Sequence, residues 1–408
     1  MAYGVATILK HLTAYKQLKS PEDEAADRLR KLATQSKTVE PKIEELDEDE
    51  QASVEDEQVF EWIMSMLMRN NELMEIMGEL VKTESKEVRR TAARVLLNLI
   101  ERQECRGKVL QTGGARMLLK IIASLTVNPG KAGSTATSPI SSSSQKKQYE
   151  GELEPTDLPM LQALAKLLIT TNPLLVFGPS PDSPLLLSAL KPLITLLTHP
   201  ASSLLQLFEG LMSLTNMASL SSHLAALIAS SPRVLEKIEE CMIGVRTGEH
   251  ELIRRAATEL LCNLASTQAI LETFEEGPTS ARSRSRLHLL IALSSSDDLP
   301  TALAAAGALA LLVDHSSAVA KALVNETKLS ESLGRVALDI IEEGKIGVQH
   351  RLITLLACML EEDQDRWTKR PVGLKDALEK LKGRLGEEDE VSAEVRRLVG
   401  VVLHRLDE

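Results

Sequence analysis

The sequence predicts an all-α protein, an armadillo/HEAT-like right-handed α-solenoid of stacked two- and three-helix repeats, and three observations carry that expectation. Leu and Ala supply nearly all the apolar content, with only four Phe, three Tyr and two Trp in 408 residues; strands draw on β-branched and aromatic side chains, so this composition suits helices. A pattern recurs: VRRTAARVLLNL at 88–99 and IRRAATELLCNL at 253–264 share both Arg residues, an Ala, a Leu, the Asn and the final Leu, and LFEGLMSLTNM at 207–217 is a weaker copy. Extending the register through Asn98, Lys166, Asn216, Asn263, Leu312 and Met359 gives intervals of 47 to 50 residues apart from one of 68, a period close to that of armadillo and HEAT units.

The elements follow in order. Helical spacing is expected over 4–19 and 22–35, ahead of EELDEDEQASVEDE at 44–57, an acidic run read as solvated linker (41–57) or helix surface. The Met-rich stretch 60–80 resumes helical spacing; Met64, Met66, Met68, Met74 and Met77 suit core filling or an adaptable apolar surface. Gly113, Gly114, Asn172-Pro173 and Gly178-Pro179 supply helix stops and tight corners. The Ser/Gly/Pro-rich segment 127–150 has too little apolar content to fold and reads as a disordered insertion; removing about twenty residues for it brings the long interval into line with the repeat. In 251–266, Leu252, Ile253, Ala256, Ala257, Leu260, Leu261, Leu264 and Ala265 recur at i, i+1, i+4, i+5, a wide buried stripe on a helix. A final amphipathic helix over 391–406 is expected to cap the stack.

Several function classes recede. A formal net charge of −11 disfavours nucleic-acid and anionic-membrane partners. Residues 210–231 carry no formal charge over a span of membrane length, but their Ser, Thr, Asn and His content reads as two buried helices joined near 220–222. Cys105, Cys241, Cys262 and Cys358 form no CxxC pair, the usage of a reducing, cytoplasmic compartment. His250-Glu251 opens HELIR instead of HExxH, and neither a GxSxG elbow, a phosphate loop nor a calcium loop is present. The basic ARSRSR at 281–286 lacks interleaved aromatics and reads as a loop or helix start with a solvated face. The chain is therefore expected to be a binding protein, not an enzyme, with no catalytic residue, metal site or cofactor.

The repeated Asn poses the sharper question. Arg255, Glu259 and Asn263 follow one another at i+4 and share a stripe beside the core face. In a solenoid, the last helix of each unit lines the concave wall, where a carboxamide can donate and accept hydrogen bonds to an extended peptide backbone. The alternative is that each Asn bridges neighbouring turns and touches no ligand. Its recurrence in three units favours the groove.

FEGLMSLTNMAS (208–219), HELIRRAATELLCNLA (250–265), RGKVLQTGGARMLLKI (106–121) and LQALAKLLITTNPLLVF (161–177) resemble the UCS-domain myosin chaperones, as a fungal-type member or a C-terminal UCS fragment. YGVATILKHLTAYK (3–16) resembles the end of that family's central armadillo segment, so helices at 1–40 would belong to that segment and 58–408 to the UCS armadillo domain. The resemblance implies a chaperone that binds the myosin heavy-chain motor domain and promotes its folding, maturation and stability, ATP-independent by itself, with a heat-shock chaperone as a further partner. Carried onto this chain, the groove would comprise Asn216, Asn263, Arg255 and Glu259, with Phe208 and Met212 as apolar contacts and Asn98 and Arg94 at the near end. The competing reading is an armadillo adaptor or scaffold that holds another protein's extended segment; such grooves pair Trp with Asn, and Trp62 and Trp367 lie outside the Asn-bearing helices.

Overall fold

The computed structural model describes residues 1–15, 48–69, 71–126, 153–244, 251–275, 280–362, 367, 370–386 and 389–407, and every regular element among them is helical. The chain divides into two compact units, Met1–Thr170 and Thr171–Glu408.

The first unit holds α1 (Ala2–Leu12), α2 (Glu48–Met68), α3 (Glu72–Lys82), α4 (Lys86–Leu99), α5 (Gln103–Gln111), α6 (Gly114–Thr126) and, after a 3-10 turn at Pro155–Asp157, α7 (Leu158–Ile169). Here α2 packs on α5, α3 on α6 and α4 on α7, so one three-helix repeat stacks on the next along three rows, and α1 packs on α4 at the head of the third row. The second unit holds α8 (Pro173–Phe177), α9 (Pro184–Thr198), α10 (Leu204–Ala218), α11 (Ser222–Ala229), α12 (Val234–Ile243), α13 (Glu251–Leu264), α14 (Gln268–Glu275), α15 (Ala281–Leu293), α16 (Leu299–His315), α17 (Ser317–Asn325), α18 (Thr327–Glu343), α19 (Ile346–Glu362), α20 (Leu374–Arg384) and α21 (Glu390–Asp407). Its third-position helices α10, α13, α16, α19 and α21 form one ladder, α11, α14 and α17 another, and α20–α21 is a two-helix end.

Local chemistry sets these boundaries. Ser85, Asn172, Ser203, Ser221, Ser280, Asp298 and Ser316 each accept a backbone N–H at a helix start, satisfying a donor that the helix cannot. Gly113 and Gly178 adopt the positive φ of their corners, as the sequence leads one to expect. At several helix ends an Arg from the next element takes the last carbonyls. The first Arg of each recurring pair does so equivalently: Arg89 Nε lies 2.6 Å from Thr83 O and Arg254 Nε 3.2 Å from Met242 O. The apolar stripe of the repeat is buried through Ala92, Leu96 and Leu99 in α4 and through Ala256, Leu260 and Leu264 in α13.

Some expectations change. The first helix stops at Leu12, where Thr13 ends the turn and bonds back to Leu9, while 22–35 and the insertion 127–150 lie outside the described residues. Of the acidic run, expected as linker or helix surface, the part from Glu48 belongs to a helix, since the stretch to Met68 holds no Gly or Pro. The run 60–80 is two helices: Asn71 sits at φ 61, a left-handed turn that Asn tolerates and a helix does not. Residues 210–231 do form two helices broken after Ala218, and no single helix among the described residues is long and apolar enough to cross a membrane. The ARSRSR segment starts α15 but is not simply solvated, since Ser283 and Arg286 are buried and Arg286 reaches Glu239 and the carbonyl of Thr273.

Candidate functional site

All six register positions fall on the last helix of a three-helix repeat: Asn98 on α4, Lys166 on α7, Asn216 on α10, Asn263 on α13, Leu312 on α16 and Met359 on α19. Their surroundings explain the recurring Asn. Asn263 Nδ2 donates to Thr215 O of the preceding ladder helix at 3.2 Å. Asn98 Nδ2 donates to Lys10 O at 3.3 Å and to Thr13 Oγ1 at 3.1 Å, again at the end of the preceding ladder helix. Lys166 does the same with a charge, its Nζ 2.7 Å from Glu101 Oε2. Where the position is apolar, Leu312 and Met359 are wholly buried. The position thus borders the seam between adjacent ladder helices, and a carboxamide there ties the C-terminal carbonyls of one repeat to the next.

Of the eight predicted residues, six come together in the second unit. Phe208, Met212 and Asn216 form an i, i+4, i+8 stripe on α10, and Arg255, Glu259 and Asn263 form another on α13, which packs against α10. All six are half-buried, so each side chain is fixed by the seam while part of it faces solvent. Arg255 Nε lies 3.0 Å from Glu259 Oε1, a neutralised pair in the middle of the surface. Asn263 spends one N–H on Thr215, and a carboxamide has a second N–H and an oxygen besides. The other two residues lie in the first unit on α4. Arg94 is exposed, while both N–H groups of Asn98 are engaged, so Asn98 is foremost a bracket.

Sequence reasoning missed the apolar end of this surface. Leu204 and Leu205 at the start of α10 are 44% and 52% exposed, and Leu252 at the start of α13 is 62% exposed instead of joining the core stripe. Leu252 falls on the helix face shared by Glu259 and Asn263, the half-buried side of α13. The signal was present in the register, since Leu205 and Leu252 precede Asn216 and Asn263 by the same eleven residues. The surface therefore runs from leucines at the helix starts, past Phe208 and Met212, to an ion pair and carboxamides at the helix ends. Such a gradient suits a polypeptide with an apolar anchor and a polar backbone to read. Beside it, Cys262 has its thiol pushed up by burial, against a smaller opposing pull from Arg351. Among the described residues no three His, Cys, Asp or Glu side chains are grouped to hold a metal.

The helical ladders define an all-α, armadillo-like repeat protein. No family model matches the chain. Protein unc-45 homolog B of Danio rerio is 28% identical over 283 residues, covering 69% of this chain and 25% of its own length. Ring assembly protein 3 of Schizosaccharomyces pombe is 26% identical over 377 residues, 90% of this chain and 43% of its own length. The solved myosin chaperone UNC-45 from C. elegans, in complex with an Hsp90 peptide, superposes with a TM-score of 0.65 over 90% of this chain and 35% of its own, at 21% identity. The chain is a homologue of UNC-45 homolog B and of Ring assembly protein 3, in agreement with the resemblance drawn from its blocks, and it spans from a quarter to less than half the length of those relatives.

Proposed function

We propose that this protein is a myosin-directed chaperone that binds the myosin motor domain on the α10–α13 surface and promotes its folding, maturation and stability without using ATP itself. The observation that carries the reading is the presence of two half-buried stripes, Phe208-Met212-Asn216 and Arg255-Glu259-Asn263, on the packed neighbours α10 and α13 in a chain homologous to UNC-45. The similar C. elegans protein, a myosin chaperone solved with an Hsp90 peptide, supports myosin as the client and a heat-shock chaperone as a second partner. A repeat scaffold acts by holding: seam-fixed side chains lose little entropy on binding, so a surface of moderate area can retain an unstable segment.

The test is heat-induced aggregation of an isolated myosin motor domain, followed by light scattering with an equimolar amount of this protein and no nucleotide. Protection is expected, and it should vanish for Phe208→Ala/Met212→Ala/Asn216→Ala/Glu259→Ala, a set that leaves the Asn263 bracket in place. Undiminished protection by a folded quadruple variant would overturn the site, and an ATP requirement would overturn the mechanism. The adaptor reading takes second place because its stacking aromatics are elsewhere: Trp367 is buried with its Nε1 on Ser330 Oγ at 2.6 Å, and Trp62 sits on α2.

A further inference from the structure

The first unit carries a separate depression of about 880 Å³ between α3 and α6, closed at one end by Gln111 and Thr112. Its floor is apolar and soft: Met74 and Met117 line it beside Gly78, where the absence of a side chain keeps it open. Its rim is acidic. Glu72, Glu75 and Glu79 recur at i, i+3 and i+7, so they stand on one stripe of α3, with the 39% exposed Ile76 beside them. Only Glu79 has a cation, Lys82, among the described residues. Carboxylates three and four residues apart repel each other along a helix, a cost that a cation from outside would relieve.

We propose that this groove docks a basic amphipathic segment of a partner protein, at a site independent of the α10–α13 surface. The geometry selects that chemistry on both counts. Methionine floors adapt to varied apolar side chains, and the methylene stems of Lys or Arg can lie along Met74, Ile76 and Met117 while their heads reach Glu72 and Glu75. The volume is that of a pocket for a few side chains, which fits one face of a short helix.

The groove can be filled without disturbing its walls. A Cβ built on Gly78 meets only Met117 Cε at 3.7 Å, an ordinary contact, so Gly78→Leu should occupy the space and improve helix propensity. The probe is a fluorescein-labelled peptide of two Leu-Lys-Lys-Leu-Leu-Lys-Leu heptads, titrated with the full chain and followed by anisotropy, with its Lys-to-Glu counterpart as control. Saturable binding of the Lys peptide is expected, weakened about tenfold or more by Gly78→Leu and by Glu72→Lys/Glu75→Lys, weakened by salt and unchanged by Asn216→Ala/Asn263→Ala. No saturable binding, equal binding to Gly78→Leu of native helicity, or equal binding of the Glu peptide would each overturn the proposal. So would concentration-dependent self-association in sedimentation that Gly78→Leu abolishes, because the occupant would then be a second copy of the chain. Since the probe contains no myosin, failure here leaves the chaperone reading standing, and the reverse also holds.

Discussion

At the scale of the residue, the seam decides what a polar side chain does. Asn263 gives one N–H to Thr215 O, so Asn263→Ala should cost about 1 kcal/mol in urea unfolding and Asn263→Asp more, because a carboxylate would face a carbonyl. Tyr15 shows the opposite case: its hydroxyl is buried with no hydrogen-bond partner among the described residues, and burial first, then Cys105, pushes its titration up. Tyr15→Phe is therefore expected to be neutral or to stabilise by up to about 1 kcal/mol, measured the same way. Burial also pushes the Cys241 thiol from its ordinary 9.0 up to about 11. A raised folded value means stability that is complete below the unfolded thiol's range and lost as pH climbs from about 9 to 11, by about 2 kcal/mol at most. The difference between wild type and Cys241→Val across that window isolates the effect from other titrations. Sequence alone aligned Asn98 with Asn263 but could not say that their amides answer carbonyls 88 and 48 residues away.

At the scale of the element, helical stretches were legible and their breaks, caps and neighbours were not. Ser203 and Gln206 form a reciprocal capping box at the head of α10, so Ser203→Ala should destabilise by about 1 kcal/mol and increase hydrogen exchange at the start of that helix. Gly307 looks dispensable in a run of Ala and Leu on α16. In the fold it lets three ladder helices meet: a Cβ there would lie 2.8 Å from Arg351 Nη1 and 3.1 Å from Cys262 Sγ. Arg351 cannot simply swing aside, because its Nη1 donates to Leu303 O. Gly307→Leu is expected to cost about 2–3 kcal/mol in thermal or urea unfolding, outweighing the gain in helix propensity. The division at Asn71 and the early stop at Leu12 escaped periodicity for a similar reason: apolar spacing continues through a break that only backbone geometry reveals.

At the scale of the whole molecule, the first unit has a polar anchor of its own. Within it, Arg90 reaches the buried Asp157 with Nε 2.7 Å from Oδ1, tying the turn before α7 to α4. Its other partners, Glu87 and Glu154, are well exposed and should contribute little. Arg90→Ala strands the Asp157 carboxylate and is expected to lower the stability of the first unit by about 2–3 kcal/mol. Hydrogen exchange should report that loss in α4 and α7 while α10 and α13 keep their protection, since the Arg90 contacts all lie within Met1–Thr170.

The sequence by itself determined the helical class, the repeat period and which residues occupy equivalent places, because these follow from apolar spacing and capping within about fifty residues of chain. Tertiary structure alone decided which face each equivalent place presents. Leu252 fits a buried stripe by periodicity and stands exposed, whereas Leu312 and Met359, in the register of a polar residue, are buried. The reason is that a helix side becomes interior only when the neighbouring repeat arrives to cover it.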